Sequence, residues 1–510
     1  MHSRVQTILE RDVLPAFLAG RRWFAERGNS SISCRLADDF AADTVADSGI
    51  VLVETRNKRE SAQYLLPLSI KWTRLDSTKP DPNALAAVRR GPRQGTLIDA
   101  AADLPFVAFM LQKMRTSETI AVDRHRLEFR STEAFPAQAP IAIERVRAVE
   151  TEQSNTTALV DSAYVVKFFR RLESGTNPEI EVGRFLTSTV AFPNAPPLLG
   201  AVELVDGDAR RAVAVVHRFI ENQGDAWTLT SAYLDRFVEE QRLLTAEAAE
   251  HSDEQAAYAR LMEQVGRRVA ELQVALASRD DIAAFAPEPI TPDDIRGWQD
   301  ALLARAHKTF DELARRKARL KKEHRGLIER VLELRRSLPH RLRELMPANL
   351  IAMKIRHHGD FHLGQMLIVK DDVFIIDFEG EPRRSLADRR RKAPAARDVA
   401  GLIRSIDYSA TAALERALKQ ASDEHGRLTP ALDRWREHSV AAFQHAYREH
   451  LRDARLWPAA VHGADRLLDF FLLEKAFYEI DYELAHRPDW LRVPLAGTLR
   501  ILNRAEGSPV

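Results

Sequence analysis

The sequence predicts an α+β protein of two lobes, and three observations carry that expectation. Strand-like apolar runs dominate before about residue 222, and helical apolar spacing dominates after it. One short hairpin pattern with a carboxylate at its end, Met366–Val369 and Val373–Ile376 around Asp371-Asp372, interrupts the helical part. At 510 residues the chain is also too long for a single core.

The first region, residues 1–90, is read as an amino-terminal cap. It has a short helical start, then strands at Val51–Thr55 and Gln63–Ile70, and a turn at Lys79-Pro80-Asp81-Pro82-Asn83 taken as an internal boundary. Residues 91–222 are read as a β-rich lobe, with strands expected at Phe106–Leu111, Ile141–Val149, Thr157–Val160, Tyr164–Phe169 and Ala212–Phe219. Residues 223–510 are read as a helical lobe, with helices expected over Leu229–Leu244, Ala256–Ala277, Ala395–Leu418 and Ala431–Leu451. Within it, residues 300–343 are dense in Lys, Arg and Glu. Leu302, Leu303, Phe310, Leu313, Leu320, Leu327, Ile328, Val331 and Leu334 recur there at helical intervals, which predicts a coiled-coil-like helical hairpin with a solvated outer face.

Composition narrows the function classes. Hydrophobic residues at 45% and charged residues at 29% are those of an ordinary globular chain. Seventy-five basic against 74 acidic residues leave a net charge of +1, so no overall basic field points to nucleic acid or to a membrane surface. The single Cys34 excludes an internal disulfide and fits a reducing cytoplasm. The apolar stretch Val13–Gly20 lies between Glu10-Arg11-Asp12 and Arg21-Arg22, unlike a signal peptide, and no run has membrane-spanning length.

The chemistry concentrates in His358-Gly359-Asp360-Phe361-His362-Leu363-Gly364-Gln365, followed by Ile375-Ile376-Asp377-Phe378-Glu379. An aspartate with an amide side chain five residues on is the catalytic-loop pattern of phosphoryl transfer. The aspartate takes the proton of the attacking hydroxyl and the amide helps hold a metal. A tight hairpin brings Asp360 and Asp377 to one end of a small sheet, where Gln365, Asp377 and Glu379 become candidate magnesium ligands.

Such a site also needs a cation on the nucleotide phosphates. Lys167, inside the apolar strand Tyr164–Phe169, is the candidate, because a lysine there is costly without a partner. Asn177-Pro178-Glu179-Ile180-Glu181 reads as a helix start, from which Glu181 is expected to pair with Lys167 and Glu179 to stay solvated at the first turn. Ser154, Asn155 and Thr156 stand where a glycine-rich loop covers phosphates in protein kinases, although no glycine is present. No GxxxxGK[ST] motif occurs, so a P-loop enzyme is not supported. Zinc binding through His357, His358, Asp360 and His362 lacks a distal ligand pair. A glycosidase pair at Asp377 and Glu379 is an alternative, but metal ligation is at least as natural at that spacing, and no G-x-S-x-G elbow marks a serine hydrolase.

Together these segments resemble the maltokinase family, relatives of the aminoglycoside phosphotransferases within the protein-kinase-like fold. The resemblance extends through Arg22-Trp23-Phe24, Gln153–Thr156, Lys167–Arg171, Asn222–Trp227, Arg390-Arg391-Lys392, Arg397–Gly401, Glu474–Glu479, Tyr482-Glu483 and Arg487–Trp490. It implies ATP- and Mg2+-dependent phosphorylation of maltose at its anomeric hydroxyl, feeding α-glucan (glycogen) synthesis from trehalose, with a separate trehalose synthase as a partner. It also implies a sugar site of His362, Tyr478, Glu479, Tyr482, Glu483, Arg487 and Trp490. On a helix Tyr478, Glu479, Tyr482 and Glu483 make one narrow polar-aromatic face, suited to a disaccharide. Other acceptors on the same fold are glucosamine, another small sugar or an aminoglycoside, and a non-catalytic scaffold is the alternative of another class.

Overall fold

A computed structural model of the chain describes residues 3–26, 32–43, 47–57, 61–72, 81–122, 125–136, 143–149, 154–243, 256–347, 349–420 and 424–505. They form two compact units, Met1–Glu221 with Pro382–Arg389, and Asn222–Glu381 with Arg390–Val510.

The first unit opens with short helices α1 (Ser3–Ile8) and α2 (Leu14–Ala19). Strands β1 (Ser33–Asp43), β2 (Ser48–Arg56), β3 (Ser61–Trp72), β4 (Ala84–Arg90) and β5 (Arg93–Asp99) follow, in the sheet order β1-β2-β3-β5-β4. Alternation along β2 and β3 buries both faces. Val51, Val53, Tyr64 and Leu66 pack with Phe17, Leu18 and Phe24, while Ile50, Leu52 and Leu65 join a second core on the other side. Residue 90, expected to end the cap, lies instead at the tip of the β4–β5 hairpin, and the 81–83 end of the predicted boundary turn leads into the same sheet. Lys79 and Pro80 lie outside the described residues.

That second core is supplied by helix α3 (Leu104–Arg115) and by a larger antiparallel sheet. Its strands are β6 (Thr119–Val122), β7 (His125–Ser131), β8 (Val146–Val149), β9 (Asn155–Val160), β10 (Tyr164–Phe169), β12 (Leu198–Asp206) and β13 (Ala209–Arg218), in the order β6-β7-β12-β13-β10-β9-β8. A two-residue strand β11 (Arg171–Leu172) pairs with β3. The run Phe106–Leu111, expected as a strand, is helical. Phe106, Val107, Met110, Leu111 and Met114 are buried, a spacing of three to four that only a helix turns to one face. Of the strand expected over 141–149, residues 141 and 142 lie outside the described residues, 143–145 are not strand, and Val146–Val149 form β8.

Between these elements lies Arg170, 1% exposed. Its Nη2 donates to Asp99 Oδ2 at 2.8 Å, its Nε donates to Thr156 Oγ1 at 2.8 Å, and its guanidinium lies 4.8 Å from the Trp23 ring. One side chain thus ties the first sheet to β9.

The second unit holds α5 (Ala226–Leu243), introduced after the short α4 (Pro178–Arg184) of the first unit, then α6 (Ala256–Leu276), α7 (Pro292–Arg316), α8 (Arg325–Glu333) and α9 (Leu338–Leu345). After the loop around Asp360 come α10 (Ala396–Gln420), α11 (His425–His450), α12 (Val461–His486) and α13 (Arg492–Ala505). Small strands β14 (Glu288–Pro289), β15 (Met353–Ile355) and β18 (Ala393–Pro394) pair with one another, and β16 (Met366–Val369) pairs with β17 (Asp372–Ile375). The charged segment 300–343 is not a coiled-coil hairpin. It forms the rest of α7, then α8 and α9, and its apolar stripe is core. Leu302, Phe310, Leu313, Ile328 and Val331 are buried, with Phe310 edge-on to Phe477 of α12. Among the described residues no helix is long and apolar enough to cross a membrane.

Replacing Arg170 by alanine strands the Asp99 carboxylate, itself 5% exposed, without its cation. Equilibrium urea unfolding is expected to show a loss of about 3–5 kcal/mol for Arg170→Ala, and a smaller loss for Arg170→Ala combined with Asp99→Ala.

Candidate functional site

In the second unit the site is built on the β16–β17 hairpin and the loop before it. The hairpin register pairs Met366 with Ile375, and the Ile376 nitrogen donates to the Gln365 carbonyl at 3.0 Å. That continuation brings Gln365 and Asp377 side by side, with Gln365 Nε2 at 3.1 Å from Asp377 Oδ2. Asp377 has φ +65°, a left-handed conformation uncommon outside glycine, and Gly380 follows at φ +74°. Asp377 and Glu379 present carboxylate oxygens within 4.8 Å of each other. Two hard anionic donors so placed, with the Gln365 amide beside them, fit magnesium.

The loop itself is held from outside. Asp398, in the first turn of α10, accepts the His358 and Gly359 backbone N–H groups at 2.8 and 3.0 Å. Ser405 accepts from the Leu363 nitrogen at 3.1 Å. Gly401 faces the loop so closely that a Cβ there would lie 2.6 Å from the Phe361 carbonyl oxygen. His358 donates through Nε2 to the Ile376 carbonyl at 2.9 Å, and its ring packs between Phe361 and Phe378. It fixes the loop backbone.

Asp360 Oδ1 lies 3.4 Å from Lys475 Nζ of α12. His362 points its ring back over the turn Leu363–Gln365, where Nδ1 accepts the Gly364 N–H at 3.1 Å. Burial, the largest influence on this imidazole, lowers its pKa and favours the neutral ring. Asp225 caps α5 by accepting the Thr228 N–H at 2.8 Å, and the Gln223–Gly224 backbone bonds to Ile368, so the 222–225 segment edges the hairpin.

In the first unit, Lys167 on β10 is 6% exposed and donates through Nζ to Glu179 Oε2 at 2.9 Å. Asn177 caps α4 by accepting the Glu179 N–H at 2.8 Å, which fixes the start of the helix that carries Glu179. His217 Nε2 lies 3.4 Å from Glu179 Oε1.

Residues 17–103 match the maltokinase N-terminal cap domain. A glucosamine kinase of Streptacidiphilus jiangxiensis is 27% identical over 375 residues, covering 71% of this chain and 74% of that protein. One from Mycolicibacterium smegmatis is 26% identical over 362 residues, covering 70% and 79%. A solved glucosamine kinase in complex with glucosamine, ADP and inorganic phosphate shares the fold at TM-score 0.63 and 20% identity, covering 92% of this chain and 94% of that one. The chain thus resembles maltokinases over residues 17–103 and glucosamine kinases over most of its length. The protein-kinase-like fold, with its sheet-rich first region and helical second one, is the one the sequence predicted.

Three expectations about side chains need correction. The partner of Lys167 is Glu179, not Glu181. Positions two apart on a helix point to nearly opposite sides, and the side facing β10 is that of Glu179, which is buried and not solvated. Thr156 is bonded to Arg170, Asn155 is buried and Ser154 is exposed, so these three are not one open phosphate-facing loop, and Gln153 lies outside the described residues.

The third concerns α12, where Tyr478, Glu479, Tyr482 and Glu483 split between two directions. Glu479, 7% exposed, accepts from Arg404 Nε and Nη2 at 2.9 and 2.6 Å. Glu483, 1% exposed, accepts from Arg487 at 2.8 Å and from the Tyr408 hydroxyl at 3.1 Å. Both carboxylates therefore join α12 to α10 or cap its end. Tyr478 lies under Lys475 and Arg305, while Tyr482 and Trp490 lie under Arg487, with Trp490 stacked on Tyr408.

The sequence reading does not single out Arg404, Tyr408 or Lys475. Arg404 and Tyr408 sit in a helix with no motif of their own. Lys475 stands inside the Glu474–Glu479 segment, but only folding sets it beside Asp360. Its signal was the i, i+3, i+7 stripe Lys475, Tyr478, Tyr482.

Asp398→Ala removes two charge-assisted bonds to the loop, and a loss of about 2–4 kcal/mol is expected, with the His358 and Gly359 amides exchanging hydrogen faster. Glu479→Ala leaves the Arg404 guanidinium facing Asp407 alone in the interior. It is expected to lower stability by about 3–5 kcal/mol in chemical denaturation, and unchanged stability would refute its structural role.

Proposed function

We propose that the protein transfers the γ-phosphoryl group of ATP to a hydroxyl of a small sugar, and that the sugar is glucosamine. The observation that carries phosphoryl transfer is the Gln365–Asp377 contact at the end of the hairpin, on the same loop as Asp360. In this reading Asp360 accepts the proton of the attacking sugar hydroxyl, and Lys475 holds its carboxylate in place. Gln365, Asp377 and Glu379 hold magnesium, which neutralises charge on the transferring group when bound. Lys167, oriented by Glu179, contacts the nucleotide phosphates.

The choice of sugar follows the relatives named glucosamine kinases, which match over about 70% of the chain. It also follows the side chains: Glu479 and Glu483, the carboxylates expected to receive a disaccharide, are occupied by arginines and a tyrosine. Maltose is the second reading, supported by the cap-domain match and by Tyr478, Tyr482 and Trp490 as rings for sugar faces. A trehalose synthase partner belongs to that second reading alone.

An ATP-turnover screen with glucosamine, maltose, glucose, trehalose and an aminoglycoside is expected to give the highest kcat/KM for glucosamine. A higher value for maltose would select the second reading, and no turnover with any of them would remove both. Asp360→Asn and Asp377→Ala are each expected to lower kcat by roughly two orders of magnitude or more. ATP affinity should change little for Asp360→Asn, and Lys167→Ala should weaken it. The reverse pattern in nucleotide titrations would exchange the roles of Asp360 and Lys167.

A further inference from the structure

His362 was expected to touch the sugar, but its hydrogen bonds point to a different role. The Gly364 backbone nitrogen, 3.1 Å from His362 Nδ1, can only donate, so Nδ1 accepts. A neutral imidazole has a single N–H, which must then be on Nε2. That N–H meets the Gln365 side chain, whose Nε2 is 3.4 Å away, and the same Gln365 atom is 3.1 Å from Asp377 Oδ2.

The three groups cannot all be satisfied by themselves. With nitrogen in this position the Gln365 amide donates to Asp377 but confronts His362 donor to donor. Turned by half a rotation, its oxygen accepts from His362 but confronts the Asp377 carboxylate acceptor to acceptor. A cation between the amide oxygen and the carboxylate satisfies every contact in the second orientation, because both oxygens then face positive charge.

We infer that His362 is a positioning residue whose Nε2–H turns the Gln365 amide oxygen toward a divalent cation shared with Asp377. This rests on the proposed function, in which Gln365 and Asp377 hold magnesium. Hydrogen bonds of this kind fix a ligand's direction before the cation arrives, and losing one typically costs about tenfold to a hundredfold in metal affinity.

The test is Mn2+ binding, measured by water-proton relaxation with ADP present, on the full-length protein. His362→Asn keeps an oxygen that can accept the Gly364 N–H, but its amide ends short of Gln365. The variant is expected to melt at the wild-type temperature and to bind Mn2+ about tenfold or more weakly. Combined with Gln365→Ala, it should bind no more weakly than Gln365→Ala alone. Wild-type Mn2+ affinity in His362→Asn, with weakened binding in Gln365→Ala, overturns the role of His362 and leaves the proposed function standing. Wild-type affinity in both Gln365→Ala and Asp377→Asn overturns the ligand assignment itself. A second measurement needs no variant: with Mg2+ and ADP bound, imidazole 15N shifts must report His362 protonated on Nε2 and bare on Nδ1. The opposite tautomer refutes the inference.

Discussion

The grip of Asp398 on the backbone of His358 and Gly359 is the constraint on which the rest of the candidate site depends. A carboxylate in the first turn of a long helix is favoured by that helix's own N-terminal field, and here it also satisfies two loop N–H groups. Gly401, one turn further on, lets the helix backbone come against the loop at Phe361. The loop therefore has its position set by α10, and Asp360, His362 and Gln365 inherit it. Replace that helix by a looser neighbour, and the spacing of the motif would still be in the sequence while its geometry was gone.

Buried charge is used in the same way throughout both units. Lys167 with Glu179, Arg170 with Asp99 and Arg404 with Glu479 are each ion pairs taken almost wholly out of water. Such pairs gain little net stability over apolar residues, because desolvation offsets their attraction. What they supply is a unique arrangement, since an alternative packing would leave a charge unpaired. Two of the three serve the fold directly, as Arg170 joins the first sheet to β9 and Arg404 joins α10 to α12. The third holds the lysine that the proposed function assigns to phosphate.

Helix α12 shows how one segment serves two purposes. Its i, i+4 stripe of Glu479 and Glu483 turns inward to Arg404, Tyr408 and Arg487, while the Lys475, Tyr478, Tyr482 stripe takes a different direction and begins at Asp360. Periodicity puts the two stripes side by side, so they look like a single face until the position of α10 is known. The carboxylates of this segment are committed to the fold, and Lys475 is the charged side chain that reaches Asp360.

Sequence alone was enough for the α+β class, the hairpin of β16 and β17 and the strand around Lys167, and it marked Asp360–Gln365 as the candidate loop. These are readable because each depends on near neighbours: alternation along a strand, a turn between apolar runs, and an Asp and an amide five positions apart. Only the tertiary structure decided that Glu179 faces Lys167 where Glu181 does not, that Phe106–Leu111 coils into a helix, and that the charged 300–343 segment turns its leucines into a core. It alone set Lys475 beside Asp360, 115 residues away along the chain, and gave Glu479 to Arg404. Those outcomes depend on which faces meet, and a local pattern specifies a face without specifying what covers it.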